Sequence, residues 1–281
     1  MYLFFVREFN DIDHITPIVW KMGQDNYPVA VYCLNPQYDL QGDYRLLFLK
    51  KQGIPVNYIF DVFSRSLGLK HLIMRFISRA CFAIVNRFDD HSRSLFSAAL
   101  NVFRKRAQKI GKTLYKQSRK KFYDTAWAGT IIEQSGAKVL CFDHVKPERY
   151  VVKALLKAAK QKSIPLIALP HGVFIYTNNF VRTGSTEEDR YDKFNRFDYI
   201  ITQNELRQEV LVRAGVQRDK VFVLGSARYC KEWMVQNKMI LPRTMKSNAQ
   251  DSEKLKVVFM TTRFAYRIDV DRMAVPDRRV F

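Results

Sequence analysis

No glycine-rich phosphate loop occurs in this sequence: neither GxGxxG nor a Walker-type GxxxxGK[ST] is present. That absence argues against a dinucleotide-dependent dehydrogenase and against a P-loop ATPase, both of which need closely spaced glycines to bring backbone amides up to phosphate. Cysteine is scarce, and its four copies, Cys33, Cys81, Cys141 and Cys230, are far apart. Clustered spacings would be needed for a zinc or disulfide framework, so the cysteines read as reduced thiols of a cytoplasmic protein, packed as small hydrophobes. No HxxxH or HExxH pair supports a metal site, and no metal or cofactor is expected. Long apolar runs are missing too. The nearest candidate for the ~18 apolar residues of a bilayer span, Leu72 to Phe88, is interrupted by Arg75, Arg79, Asn86 and Arg87. The run Met1 to Val6 stops at Arg7-Glu8, too early for a signal-peptide core, and reads as a first strand.

Acidic residues are nearly absent from one region. Residues 64–121 hold 15 Lys/Arg against 2 Asp/Glu, and contribute most of the chain's net charge of +20, whereas residues 1–63 are slightly acidic. This segment lacks proline, and its apolar residues recur at three- and four-residue intervals, predicting basic amphipathic helices inserted into the domain. Such a surface attracts anionic lipid headgroups or nucleic-acid phosphates through the same field, or is simply solvated. Its aromatic residues, Phe76, Phe82, Phe88, Phe96 and Phe103, lie mainly on the apolar side, which suits a membrane interface better than base stacking. The expected partner is an anionic membrane surface rather than RNA, with the protein peripheral to the inner membrane.

With 281 residues and 47% hydrophobic residues, the chain is long enough for one large domain or two. Outside the insertion, short β-branched or aromatic runs alternate with helical ones, the pattern of βα units and a doubly wound parallel sheet. Strands are predicted at 2–6, 28–34, 55–60, 137–142, 164–169, 198–202, 220–224 and 256–261. Helices are predicted near 17–25, 44–52, 125–135, 147–162 and 203–214. Thr16-Pro17 reads as an N-cap followed by proline, Thr202 to Glu205 as a capping box, and Gly215 as a helix end. The organisation expected is a Rossmann-like domain over 1–242, a polar linker over 243–254, and the start of a second domain at 255–281 that is not completed.

In an open parallel sheet, ligands bind beyond the carboxyl ends of the strands. The first strand is followed by "REFNDIDHITP", with Arg7, Glu8, Asp11, Asp13 and His14; the strand "AKVLCF" by Asp143-His144; "PLIAL" by Pro170-His171-Gly172; "YIITQ" by Asn204-Glu205; and "VFVL" by Gly225-Ser226-Ala227-Arg228, just before a helical run. Three of the five histidines, His14, His144 and His171, thus fall near predicted strand ends. His171 suits a general base or a hydrogen-bond donor to phosphate, and Gly172 permits a turn and close approach of a ligand. Asp13 and His14 are competing candidates for the base. Glu8, Asp143, His144, Gly172 and Asn204 are candidate substrate contacts. Ser226 and Arg228 are placed to bind phosphate.

The segments "VREFNDIDHITPIVWKM", "LPHG", "YIITQNE" and "VLGSAR" together resemble the amino-terminal half of a nucleotide-sugar-type transferase of the GT-B fold, including the CDP-glycerol glycerophosphotransferase-like group of bacterial surface polysaccharide synthesis. The "GSAR" segment is similar to a glycine-x-proline-arginine segment of those enzymes, with alanine in place of the proline. The resemblance implies transfer of a sugar or glycerol phosphate from a nucleotide-activated donor to a glycan or lipid-linked acceptor, with His171 acting on the acceptor hydroxyl. It also implies a second, donor-binding domain, largely missing from this chain. The alternatives are a nucleotide-sugar 2-epimerase-like enzyme, which shares this architecture and needs no acceptor, and a non-catalytic basic module that binds membrane or nucleic acid.

Overall fold

The computed structural model describes residues 1–36, 38–63, 67–87, 97–143, 150–170 and 192–242. The chain divides into two compact units, Met1–Leu241 and Pro242–Phe281. The first is the Rossmann-like α/β domain described below; the expected linker, the strand at 256–261 and the start of a second domain fall outside the described residues.

Seven strands form one all-parallel sheet: β1 (Tyr2–Val6), β2 (Val29–Cys33), β3 (Val56–Tyr58), β4 (Val139–Asp143), β5 (Leu166–Leu169), β6 (Tyr199–Thr202) and β7 (Val221–Val223). The strand order is β3-β2-β1-β4-β5-β6-β7. Both faces are covered, so successive side chains alternate between two apolar layers instead of between core and water. In β1, Leu3 and Phe5 enter one core cluster while Phe4 and Val6 enter the other; in β4, Leu140 and Phe142 are separated from Cys141 in the same way. Phe5 stacks on Phe142 at 4.7 Å between ring centroids, tying the two central strands together.

The helices are α1 (Phe9–Gln24), α2 (Tyr44–Lys51), α3 (Ile59–Val62), α4 (Gly68–Arg87), α5 (Ser97–Phe122), α6 (Thr125–Ser135), α7 (Tyr150–Gln161), α8 (Glu205–Arg213) and α9 (Lys231–Ile240). Helix α6 matches its predicted bounds, capped by Asp124, which accepts from the Trp127 amide, and ended by Gly136 at φ +59°. Other boundaries differ from expectation. Helix α1 begins eight residues before the predicted 17 and takes Pro17 into its interior, so Thr16 is not an N-cap; its hydroxyl donates to the Ile12 carbonyl one turn back. Thr202 ends β6 and donates to the Phe222 carbonyl, leaving Asn204 as the N-cap of α8. The run predicted as a strand at 55–60 turns helical at Ile59. Helix α9 is the helical run expected after Arg228, for which no bounds were predicted.

Helix α9 returns from β7 to the opposite half of the sheet. Its Trp233, 1% exposed, packs with Trp20 of α1 and Phe48 of α2 at 5.7 and 6.2 Å between ring centroids. The connection Leu224–Cys230 therefore passes over the carboxyl rim of the sheet, beginning at Gly225, whose φ of +80° other residues rarely adopt. Cys33 and Cys141 are buried, and burial pushes each thiol up to about 12; Cys230 is exposed.

Candidate functional site

Strand order reverses between β1 and β4, whose connections leave toward opposite ends of the sheet, and doubly wound sheets hold their ligand crevice at the carboxyl ends of strands at such a point. Arg7 is the first residue beyond β1, and Asp143 is the last of β4. The Arg7 Nη2 donates to Asp143 Oδ2 at 2.5 Å, while its Nε and Nη2 donate to the two oxygens of Asp11 at 3.0 and 3.2 Å. The Arg7 amide adds a fourth contact, to Asp11 Oδ2 at 2.8 Å, so Asp11 lies over the first turn of α1. Asp11 is 1% exposed and Asp143 0%.

Both carboxyl groups accept from the same guanidinium. One guanidinium therefore faces two buried carboxyls, and a single proton shared between them neutralises the set. Burial first, then the nearby charge of Asp143, push the Asp11 carboxyl up to about 7, more than Arg7 pulls it down. Burial works against the Arg7 charge, but the two carboxyls outweigh it and hold the guanidinium above its ordinary value.

A second polar network adjoins the first through α1. The Arg45 side chain, 1% exposed, pairs with Asp43 through Nε and Nη2 at 3.1 and 2.7 Å, and with Asp13 through Nη1 at 3.0 Å. Phe9 lies against the Arg45 guanidinium at 4.0 Å from its ring centroid. Asp43 is also the N-cap of α2 and accepts from the Tyr38 hydroxyl at 2.7 Å. Burial disfavours its charge, yet the bonds from Arg45 and Tyr38 hold its carboxyl below the ordinary range. The rim connection closes this network from above: Arg228 Nε lies 2.9 Å from Asp13 Oδ2, and the Ser226 hydroxyl 3.3 Å from His14 Nδ1. His14 is 2% exposed.

The structure thus gathers Asp13, His14, Ser226 and Arg228 at one place, and sets Asp143 beside α1 at the same rim. His171, Gly172 and His144 lie outside the described residues. Glu8 is the exposed N-cap residue of α1 and makes no side-chain capping bond. Asn204 caps α8, its Oδ1 accepting from the Arg207 amide at 2.9 Å. Arg7 and Asp11 were noted behind the first strand but assigned no role, because residues 7–16 were read as a loop, and Arg45, inside a predicted helix, was not considered. The apolar spacing Ile12, Ile15, Val19 already ran helically through that stretch, and on a helix Arg7 and Asp11 fall one turn apart.

Among the described residues no group of three or more His, Cys, Asp or Glu side chains could hold a metal ion, and no helix is long and apolar enough to cross a membrane.

No family model matches the chain, and no curated protein matches it. Among solved structures, UDP-GlcNAc 2-epimerase from Neisseria meningitidis bound to UDP-GlcNAc is similar at 12% identity and a TM-score of 0.44, over 85% of this chain and 50% of that one. UDP-GlcNAc 2-epimerase from Methanocaldococcus jannaschii is similar at 13% identity and a TM-score of 0.41, over 85% and 49%. MnaA of S. aureus, solved with UDP, is similar at 10% identity and a TM-score of 0.41, over 89% and 50%. The chain spans about half the length of these structures. They correct the expected function: the first two are UDP-GlcNAc 2-epimerases and not transferases, and the expected transferase reading is withdrawn.

Proposed function

We propose that this domain binds a nucleotide-activated sugar over the β1/β4 crevice and supplies acid–base chemistry of the 2-epimerase kind. The observation that carries the reading is the buried Asp11–Asp143 pair set against Arg7, with Asp11 pushed up to about 7. An epimerase inverts one C–H centre, so a proton leaves one face of the sugar and a proton returns to the other, with no acceptor consumed. A group that serves both steps has to give and take a proton near neutral pH. A carboxyl pair sharing one proton is suited to that, whereas an ordinary exposed aspartate is ionised throughout.

Arg228 and Ser226, on the connection that crosses the rim, are the proposed contacts for the diphosphate. Arg228 is the more accessible cation there, with its side chain 35% exposed against 1% for Arg45. Its bond to Asp13 is exchanged for phosphate when substrate enters, and Asp13 remains neutralised by Arg45. His14 reaches the same place through Ser226. His171, His144 and Gly172, which follow β5 and β4 in the sequence, are proposed as further members of the set. The proposed station of the protein is cytoplasmic and peripheral to an anionic membrane, which the basic helices support.

The test is incubation with UDP-GlcNAc in deuterated water, read by proton NMR beside calorimetric titration of the same nucleotide sugar. The reading expects binding, weakened at least about tenfold by Arg228→Ala, and a second sugar nucleotide carrying deuterium at the inverted carbon, lost in Asp143→Asn. Neither binding nor exchange, or sugar consumed only when an acceptor is added, would overturn it.

A further inference from the structure

Helices α4 and α5 pack against each other along a narrow seam. The Ser78 hydroxyl donates to the Gly111 carbonyl at 3.1 Å, and His71 Nε2 lies 2.6 Å from the Tyr123 hydroxyl. Residue 71 meeting 123 and 78 meeting 111 makes the two helices antiparallel. His71, Ser78, Ala107 and Gly111 are buried, and His71 also packs edge-on to Phe122. At about 100° per residue, His71 and Ser78 define the side of α4 that faces α5. Leu69, Leu72, Ile73, Phe76 and Ile77 then fall around the opposite side.

All five are exposed, Phe76 by 74% and Leu69 by 71%. They form a continuous stripe at i, i+3, i+4, i+7 and i+8, the spacing a helix uses to bury one face. A contiguous exposed patch of this kind marks an interaction surface, unlike isolated apolar residues. The charge of the same helices identifies what it meets. Together α4 and α5 carry 13 Lys/Arg and no Asp/Glu, and Lys105, Arg106, Lys109, Lys112 and Lys121 are exposed. A second copy docking through the same face would bring two strongly basic helix pairs together with no acidic residue on either pair. A nucleic acid would neutralise the cations but leave five aliphatic and aromatic side chains in water. An anionic bilayer satisfies both: the acyl boundary takes the stripe, and the headgroups take the lysines and arginines.

We propose that the α4–α5 hairpin is a membrane-docking element, with α4 lying in the plane of an anionic bilayer and its stripe from Leu69 to Ile77 seated at the headgroup–acyl boundary. The helix lies on the membrane and does not cross it. This goes beyond the epimerase reading and is independent of it, since vesicle binding needs no sugar nucleotide.

The test uses the full chain and vesicles of phosphatidylcholine alone or mixed with phosphatidylglycerol, read by co-sedimentation, with light scattering of the free protein in parallel. Two variants accompany it, Ile73→Ser/Phe76→Ser and Lys105→Glu/Lys109→Glu/Lys112→Glu, all at exposed positions, with far-UV circular dichroism confirming their fold. The protein should bind the phosphatidylglycerol vesicles, with affinity falling roughly a hundredfold in the charge variant and roughly tenfold or more in the serine variant. Equal binding to both vesicle types, binding to neither, or full binding by the serine variant would overturn the proposal. Self-association of the free protein that the serine variant abolishes would instead assign the stripe to a second copy. Retention of RNA without retention of vesicles would assign the charge to nucleic acid.

Discussion

Arg7 and Asp143, 136 positions apart in the chain, meet at 2.5 Å where the two halves of the sheet part. The pair links the carboxyl ends of the two strands that flank the crevice, and both side chains are largely withdrawn from water. Removing one partner of a buried ion pair costs far more than the pair contributes, because the remaining charge is stranded. Arg7→Met leaves Asp11 and Asp143 facing each other without a cation. It should destabilise the domain by about 3–5 kcal/mol in urea unfolding at pH 8.

Asp11 gives the domain a stability dependence opposite to that of most carboxylates. Its folded-state value of about 7 lies above the ordinary 3.8, so the native state holds a proton that the unfolded chain has already released. The stabilisation is fully present below the ordinary value and is lost as pH rises from about 4 to about 7. Asp11→Asn keeps a hydrogen-bonding side chain and abolishes the titration. Unfolding free energies of the parent from urea titrations should fall across that window relative to the variant, by an amount on the order of a few kcal/mol. Parallel curves from pH 4 to pH 8 would contradict the assignment.

Two arginines share Asp13 but should respond differently to replacement. The Arg45 side chain is 1% exposed and bonded to two carboxylates, so Arg45→Met should cost about 3–5 kcal/mol and loosen the start of α2. The Arg228 side chain is 35% exposed, and Arg228→Ala should cost no more than about 1 kcal/mol. Thermal melts separate the two. A large loss in Arg228→Ala would make it part of the fold rather than an available cation.

Helix α9 belongs to the packed body of the domain because Trp233 fills the space between Trp20 and Phe48. Trp233→Ala should destabilise by about 3–5 kcal/mol, and release the rim connection that carries Ser226 and Arg228. Chemical denaturation of the variant checks the first effect, and faster proteolysis near Gly225 the second.

The strands were legible because each is buried on both faces, which leaves short uninterrupted apolar runs such as Leu3 to Val6 and Leu140 to Phe142. The start of α1 was not, since Asp11, Asp13 and His14 turn toward the polar rim and break the apolar pattern, while Pro17 imitates a first helical position. The bounds of helix α9 were hidden for a related reason: only Trp233 of its ten residues is buried, and Met234, Val235 and Met239 are exposed, so no apolar stripe marks them. The expectation of functional groups at strand ends led to Asp143, Asp13, His14, Ser226 and Arg228. It could not reveal that Arg7 and Asp11 complete the pair around Asp143, because that depends on which strands are neighbours. Strand order is a tertiary property, and short motifs do not encode it. The same limit explains the transferase expectation, which rested on brief segments common to enzymes with different chemistries.

The account turns on the protonation of one carboxyl pair, and carbon-13 NMR of aspartate-labelled protein reads it directly, with Asp11→Asn identifying the resonance. The prediction is a titration of Asp11 centred near 7, several pH units above the bulk of the aspartates. A midpoint at the ordinary carboxylate value, with Asp11 and Asp143 both ionised at neutral pH, would contradict it.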